Sequence, residues 1–205
     1  MEIQDDSYKT ISAPTEEILL KEKKSKFYGI AYPIQKEDEV KPLIEALKKK
    51  HRTANHVCYA WQLGVENIRY RVNDDGEPNN SAGMPIFGQL QSFEVTNILV
   101  VVTRVFGGTK LGVGGLISAY RETAKLTLAS AKIVERTLQQ EIALHFKYPQ
   151  MDAVVRTIKQ EQLKIGSQKL EMDCTMVLVV QKNRTKELRK KFQEIYGVSA
   201  KLKHV

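Results

Sequence analysis

The alternation of apolar and polar positions divides the chain into short elements, and changes of period from two to about 3.6 mark where strands give way to helices. The segment 16-EEILLKEKKSKFYGIAYPI-34 reads as strand with a turn at Lys23 to Ser25, because Phe27, Tyr28, Ile30, Tyr32 and Ile34 favour extended backbone and Pro33 disfavours helix. In 36-KEDEVKPLIEALKKKH-51, Val40, Leu43, Ile44 and Leu47 fall at helical spacing. Acidic residues open that segment and three lysines close it, the order that complements a helix macrodipole. A hairpin of 55-NHVCYAWQLG-64 and 67-NIRYRV-72 follows, ended by the turn-rich 73-NDDGEPNNSAG-83. The pattern then predicts a short helix over 84–93 with Pro85 in its first turn, and a buried strand over 95–106. A helix over 114–131 turns Leu116, Ile117, Tyr120, Ala124 and Leu128 inward, and 132-KIVERT-137 adds a strand.

After residue 138 the pattern restarts. Strand 140–148, helix 149–161, strands 163–172 and 174–180, helix 184–196 and strand 199–205 follow in the order βαββαβ, a ferredoxin-like or split-βαβ arrangement. Met151, Val154, Val155 and Ile158 face inward on the first of these helices, and Leu188, Phe192 and Ile195 on the second. The expected class is α+β in two domains, residues 1–138 and 139–205, and 205 residues leave room for two cores.

Composition changes this picture little: 42% hydrophobic and 27% charged residues describe an ordinary globular chain. The longest apolar run, 98-ILVVV-102, is far too short to span a bilayer, and MEIQDDSYKT lacks the features of a secretory signal, so a cytoplasmic protein without membrane contact is expected. Cys58 and Cys174 are too far apart in sequence for a CxxC pair, and reduced thiols fit the same compartment.

Charge changes it more. The net charge is +8, and residues 139–205 hold 13 Lys and Arg against 7 Asp and Glu. A basic small domain suits phosphate backbones or an acidic protein. On helix 184–196, Lys186, Arg189 and Lys190, with Lys182 and Arg184 at its start, form the candidate nucleic-acid-binding set, balanced on that helix only by Glu187 and Glu194. Because 174-CTMVLVV-180 carries no aromatic residue, phosphates rather than stacked bases are the expected handle.

The stretch 103-TRVFGGTKLGVGGLISAYRETAKL-126 places five of twelve glycines within nine residues. A strand entering a glycine-rich turn that opens a helix can offer backbone N–H groups to an anion, which makes Arg104, Gly107, Gly108, Lys110, Gly112, Gly114 and Gly115 a candidate phosphate site. Neither GxxxxGK[ST] nor GxGxxG is met, and tight packing of helix on strand is the alternative reading. Asp74, Asp75 and Glu77 gather carboxylates, yet their spacing does not suit an EF-hand and Asn-Asp-Asp-Gly suits a tight turn. His56 and Cys58 alternate onto one strand face without forming a convincing nucleophile and base. No catalytic residue, metal site or cofactor is therefore expected.

The combination of 55-NHVCYAW-61, 74-DDGEP-78 with 82-AGMPI-86, and 103-TRVFGGTKLGVGGLI-117 resembles the Impact/YigZ family over essentially the whole chain. Val105, Asn79, Asn80 and Met84 depart from its usual pattern. The resemblance implies an N-terminal domain like the second domain of ribosomal protein S5 and a C-terminal domain like the last domain of elongation factor G. It also implies a non-enzymatic translational role, with the ribosome, RNA or a ribosome-associated protein as partner. An enzyme acting on a phosphorylated small molecule or nucleotide, with Arg104 and Lys110 as clamps and Asp74, Asp75 or Glu77 as base or metal ligand, is the second reading. A protein-interaction module without nucleic-acid binding is the third.

Overall fold

The computed structural model describes residues 6–203. They divide into two compact units: residues 8–136, and residues 137–203 together with Asp6 and Ser7.

The first unit contains strands β1 (Ser7–Ile11), β2 (Ile18–Glu22), β3 (Ser25–Pro33), β4 (His56–Leu63), β5 (Arg69–Asn73), β6 (Ile98–Val105) and β7 (Ile133–Thr137), and helices α1 (Val40–Lys50), α2 (Gly83–Ser92) and α3 (Gly112–Ser130). Five strands form a sheet in the order β2-β3-β6-β4-β5, with every pair antiparallel. Strand β6 is central, and this explains its unbroken apolar run: Ile98, Val100 and Val102 join the core beneath α2 and α3, while Leu99 and Val101 join the core beneath α1. On β4, Cys58 and Ala60 take the first side, Val57, Trp61 and Leu63 the second. Both faces of this sheet are thus covered, and residues two apart share a face.

Close approach of α3 to the sheet depends on Gly29 in β3. A Cβ there would lie 2.2 Å from Thr127 Oγ1 and 2.8 Å from Thr123 Cγ2. Helix α3 begins at Gly112, two residues before the predicted start. Strand β1 was not predicted. Its sequence SYKTI has little periodicity, and its extended form comes from pairing with β7, more than a hundred residues later.

The second unit contains strands β8 (Gln139–Lys147), β9 (Lys164–Lys169), β10 (Asp173–Gln181) and β11 (Ser199–Lys203), with helices α4 (Met151–Gln160) and α5 (Thr185–Gln193). The predicted strand 199–205 is seen as far as Lys203, and residues 204 and 205 lie outside the described residues. The sheet order is β11-β8-β10-β9, antiparallel throughout. Ile142, Leu144 and Phe146 of β8 and Met176, Leu178 and Val180 of β10 pack beneath Val154, Ile158, Leu188 and Phe192 of the helices. Asp6 belongs to this unit: its carbonyl accepts from Leu138 N at 2.9 Å, and its carboxylate accepts from Asn183 N. No helix among the described residues is long and apolar enough to cross a membrane.

Candidate functional site

Strand register assembles the site. Arg104 of β6 lies opposite Phe27 of β3 on one side and His56 of β4 on the other, so three residues far apart in sequence stand in one row on the α3 face of the sheet. Phe27 meets Tyr120 of α3 edge to face, with ring centroids 5.2 Å apart. The turn after β5 brings Glu77 over this row.

That turn is organised by its aspartates. Asp74 Oδ1 accepts from Ala82 N at 2.9 Å and Gly83 N at 2.8 Å, serving the first turn of α2, while Oδ2 accepts from Asn80 N at 2.9 Å. Asp75 Oδ2 accepts from Val57 N at 2.7 Å, and Oδ1 pairs with Lys48. These bonds hold both carboxylates in the turn, which runs through left-handed backbone at Asp75 and Gly76. Among the described residues no group of three or more His, Cys, Asp or Glu side chains could hold a metal ion.

Glu77 is buried. Its Oε1 accepts from Arg104 Nη1 at 2.7 Å and from Tyr120 Oη at 2.8 Å. Cys58 Sγ lies 3.3 Å from Tyr120 Oη and 3.1 Å from the carbonyl of Asp74. Burial pushes both the Cys58 thiol and the Tyr120 phenol well above their ordinary values, so both remain protonated. The Arg104 guanidinium also rests against the rings of Phe27 and Phe106, 5.6 and 5.4 Å from their centroids, and its Nε has no hydrogen-bond partner. His56 Nδ1 lies 2.9 Å from the carbonyl of Asp75, which can only accept, so Nδ1 carries the proton. Its Nε2 lies 3.9 Å from Glu77 Oε1.

Above this network lies a cleft of about 400 Å³ lined by His56, Glu77, Arg104, Phe106, Lys110 and the start of α3. Of the seven residues of the predicted anion site, Arg104, Lys110 and Gly112 line it. The loop glycines have separate reasons. A Cβ at Gly107 would fall 2.0 Å from the backbone carbon of Lys24; Gly108 and Gly112 have φ of +87° and +74°; a Cβ at Gly115 would sit 3.0 Å from Leu111 Cβ. A Cβ at Gly114 would meet nothing within 4 Å. None of the five therefore lets helix lie on strand, the role that Gly29 fills. Tyr120, read from the sequence as core, is also a hydrogen-bonding member of the site. Phe27 and Asn55 were not read from the sequence as site residues: Asn55 Oδ1 accepts from Phe106 N at 2.9 Å and fixes the loop's entry.

On α5, Lys186 and Lys190 are exposed and Arg189 half-buried, and the three make no ion pair among the described residues. Their spacing of three and four residues puts them on one helix face. Arg184 donates to Glu161 at 2.6 Å, and Lys191 pairs with the same carboxylate. These hydrogen bonds, Lys191's foremost, hold Glu161 below its ordinary value against the opposing effect of burial. Lys182 is half-buried in the single turn before the helix.

Comparison with known proteins places these features in a family. The Impact N-terminal domain model matches residues 23–128, which include every side chain of the buried network. IMPACT family member YvyE of Bacillus subtilis is 33% identical over 156 residues, covering 76% of this chain and 71% of its own, and YigZ of Escherichia coli is 32% identical over 145 residues, covering 70% and 71%. A crystal structure described as that of an hypothetical protein covers 98% of both chains at 26% identity, with a TM-score of 0.69. Yih1, described as a two-domain translational regulator, matches 56% of this chain and 46% of its own at 28% identity, with a TM-score of 0.38. With a family model spanning more than half its length and relatives about one-third identical over most of it, the chain belongs to the IMPACT family.

Proposed function

We propose that this protein acts in translation by binding rather than by catalysis, with the ribosome, RNA or a ribosome-associated protein as its partner in the cytoplasm. The translational setting comes from the family, in which Yih1 is described as a translational regulator. The observation that carries binding is the face of α5: Lys186, Arg189 and Lys190 stand together without acidic partners among the described residues, while Arg184 and Lys191 share Glu161. Three such cations on one helix face offer phosphates a counter-charge at little cost in broken ion pairs. Resemblance to the second domain of ribosomal protein S5 in residues 1–138, and to the ferredoxin-like last domain of elongation factor G in residues 139–205, belongs to the same proposal. The strand order β11-β8-β10-β9 supports the ferredoxin-like half.

The buried network weighs against the enzymatic reading. Asp74 and Asp75 are committed to backbone donors, and Glu77 is ion-paired beneath the cleft. Filter binding of a short unstructured RNA across several salt concentrations tests the proposal. Changing Lys186, Arg189 and Lys190 together to Gln should weaken binding evenly across sequences and flatten the salt slope by up to about three phosphate contacts. An unchanged slope would show that this helix face meets only solvent.

A further inference from the structure

From the cleft at the start of α3 we infer a seat for the phosphate group of a small ligand with an apolar or aromatic body. Two observations converge there. Helix α3 is 19 residues long and opens at Leu111, whose side chain has no oxygen to cap the first turn, and no acidic residue lies in that turn. Its leading N–H groups therefore keep their hydrogen-bonding capacity and the positive end of the dipole for an external acceptor.

Arg104 is the second observation. Its side chain is only 7% exposed, it lines the same cleft, and its Nε lacks a partner. Glu77 satisfies Nη1 alone, so the guanidinium retains unused donor capacity beside the helix start. The exposed Lys110, which makes no ion pair among the described residues, adds charge at the mouth.

The rest of the cleft describes the ligand's body: Phe106 and Val113, 42% and 52% exposed, form an apolar wall, and about 400 Å³ matches a molecule of nucleotide size. This inference rests on the cleft alone and does not depend on the charged face of α5.

Thermal unfolding of the full chain, followed by fluorescence of Trp61 in the same unit, tests it with three probes: inorganic phosphate, adenosine monophosphate and adenosine. Phosphate and the monophosphate should raise the melting temperature, the monophosphate at lower concentration, and adenosine should leave it unchanged. Lys110→Gln removes charge from an exposed position and should weaken both effects by about tenfold. Val113→Asp places a carboxylate on the cleft wall where the helix end favours one, so the protein should fold at least as well while phosphate binding is lost. Absence of any shift in the parent up to about a hundredfold above ordinary millimolar-site affinity would overturn the inference. So would an adenosine shift equal to that of the monophosphate, or a Val113→Asp variant that still responds to phosphate.

Discussion

Replacing Glu77 by Gln removes the only carboxylate paired with Arg104 among the described residues. The two side chains are 4% and 7% exposed, so the guanidinium would keep its charge where water barely reaches it. Removing one member of a buried pair costs about 3–5 kcal/mol. Gln retains an amide oxygen for Arg104 and Tyr120. The rings of Phe27 and Phe106 still attract the cation by about 0.5–1 kcal/mol each. The loss should therefore lie near the lower end, at about 3 kcal/mol.

Urea unfolding followed through Trp61, the single tryptophan and 3% exposed in the same unit, measures it. With a slope of about 2 kcal/mol per molar urea, the midpoint should fall by about 1.5 M. Combining Glu77→Gln with Arg104→Met should recover more than half of the loss, because the apolar side chain needs no counter-charge between the two rings. A midpoint shift below about 0.5 M for the single change would refute the reading of this pair as structural. A double variant no more stable than the single one would refute it as well.

Cys58 and Tyr120 predict an alkaline limit to stability. Their folded values are raised, so the contribution is complete below the unfolded thiol value of 9.0 and is lost progressively as the pH rises above it. Midpoints measured between pH 7 and 10.5 should decline above about 9 for the parent, and less steeply for Cys58→Ala; identical profiles would count against the buried thiol as a source. At neutral pH, neither Cys58 nor Cys174, both buried, should react with a thiol reagent until the protein unfolds, and rapid labelling would contradict that burial. Residues 139–205 expressed alone should melt cooperatively, because their core is made by β8, β10, α4 and α5, with lower stability than in the full chain for want of the Asp6 contacts. A fragment without a cooperative transition would refute independent folding.

Most elements were legible because their causes are local. The stripe of Val40 and Leu47, the unbroken run 98-ILVVV-102 and the restart of the βαββαβ order each follow from side-chain period and length. Asp74 and Gly76 marked their turn for the same reason: an aspartate can satisfy nearby backbone donors and glycine can take positive φ. Strand β1 lacked such a signal, since its partner is remote. The site was only half visible. Sequence marked Arg104, Lys110 and the glycines as a group, and the His56–Cys58 alternation placed those two on one face. Tertiary structure decided that Arg104 is ion-paired to Glu77, that Tyr120 completes the network, and that Gly29 rather than the loop glycines brings α3 close to the sheet. Sequence period sets which face of an element a residue occupies, whereas strand register and helix approach set which faces meet, and those depend on contacts between residues distant along the chain.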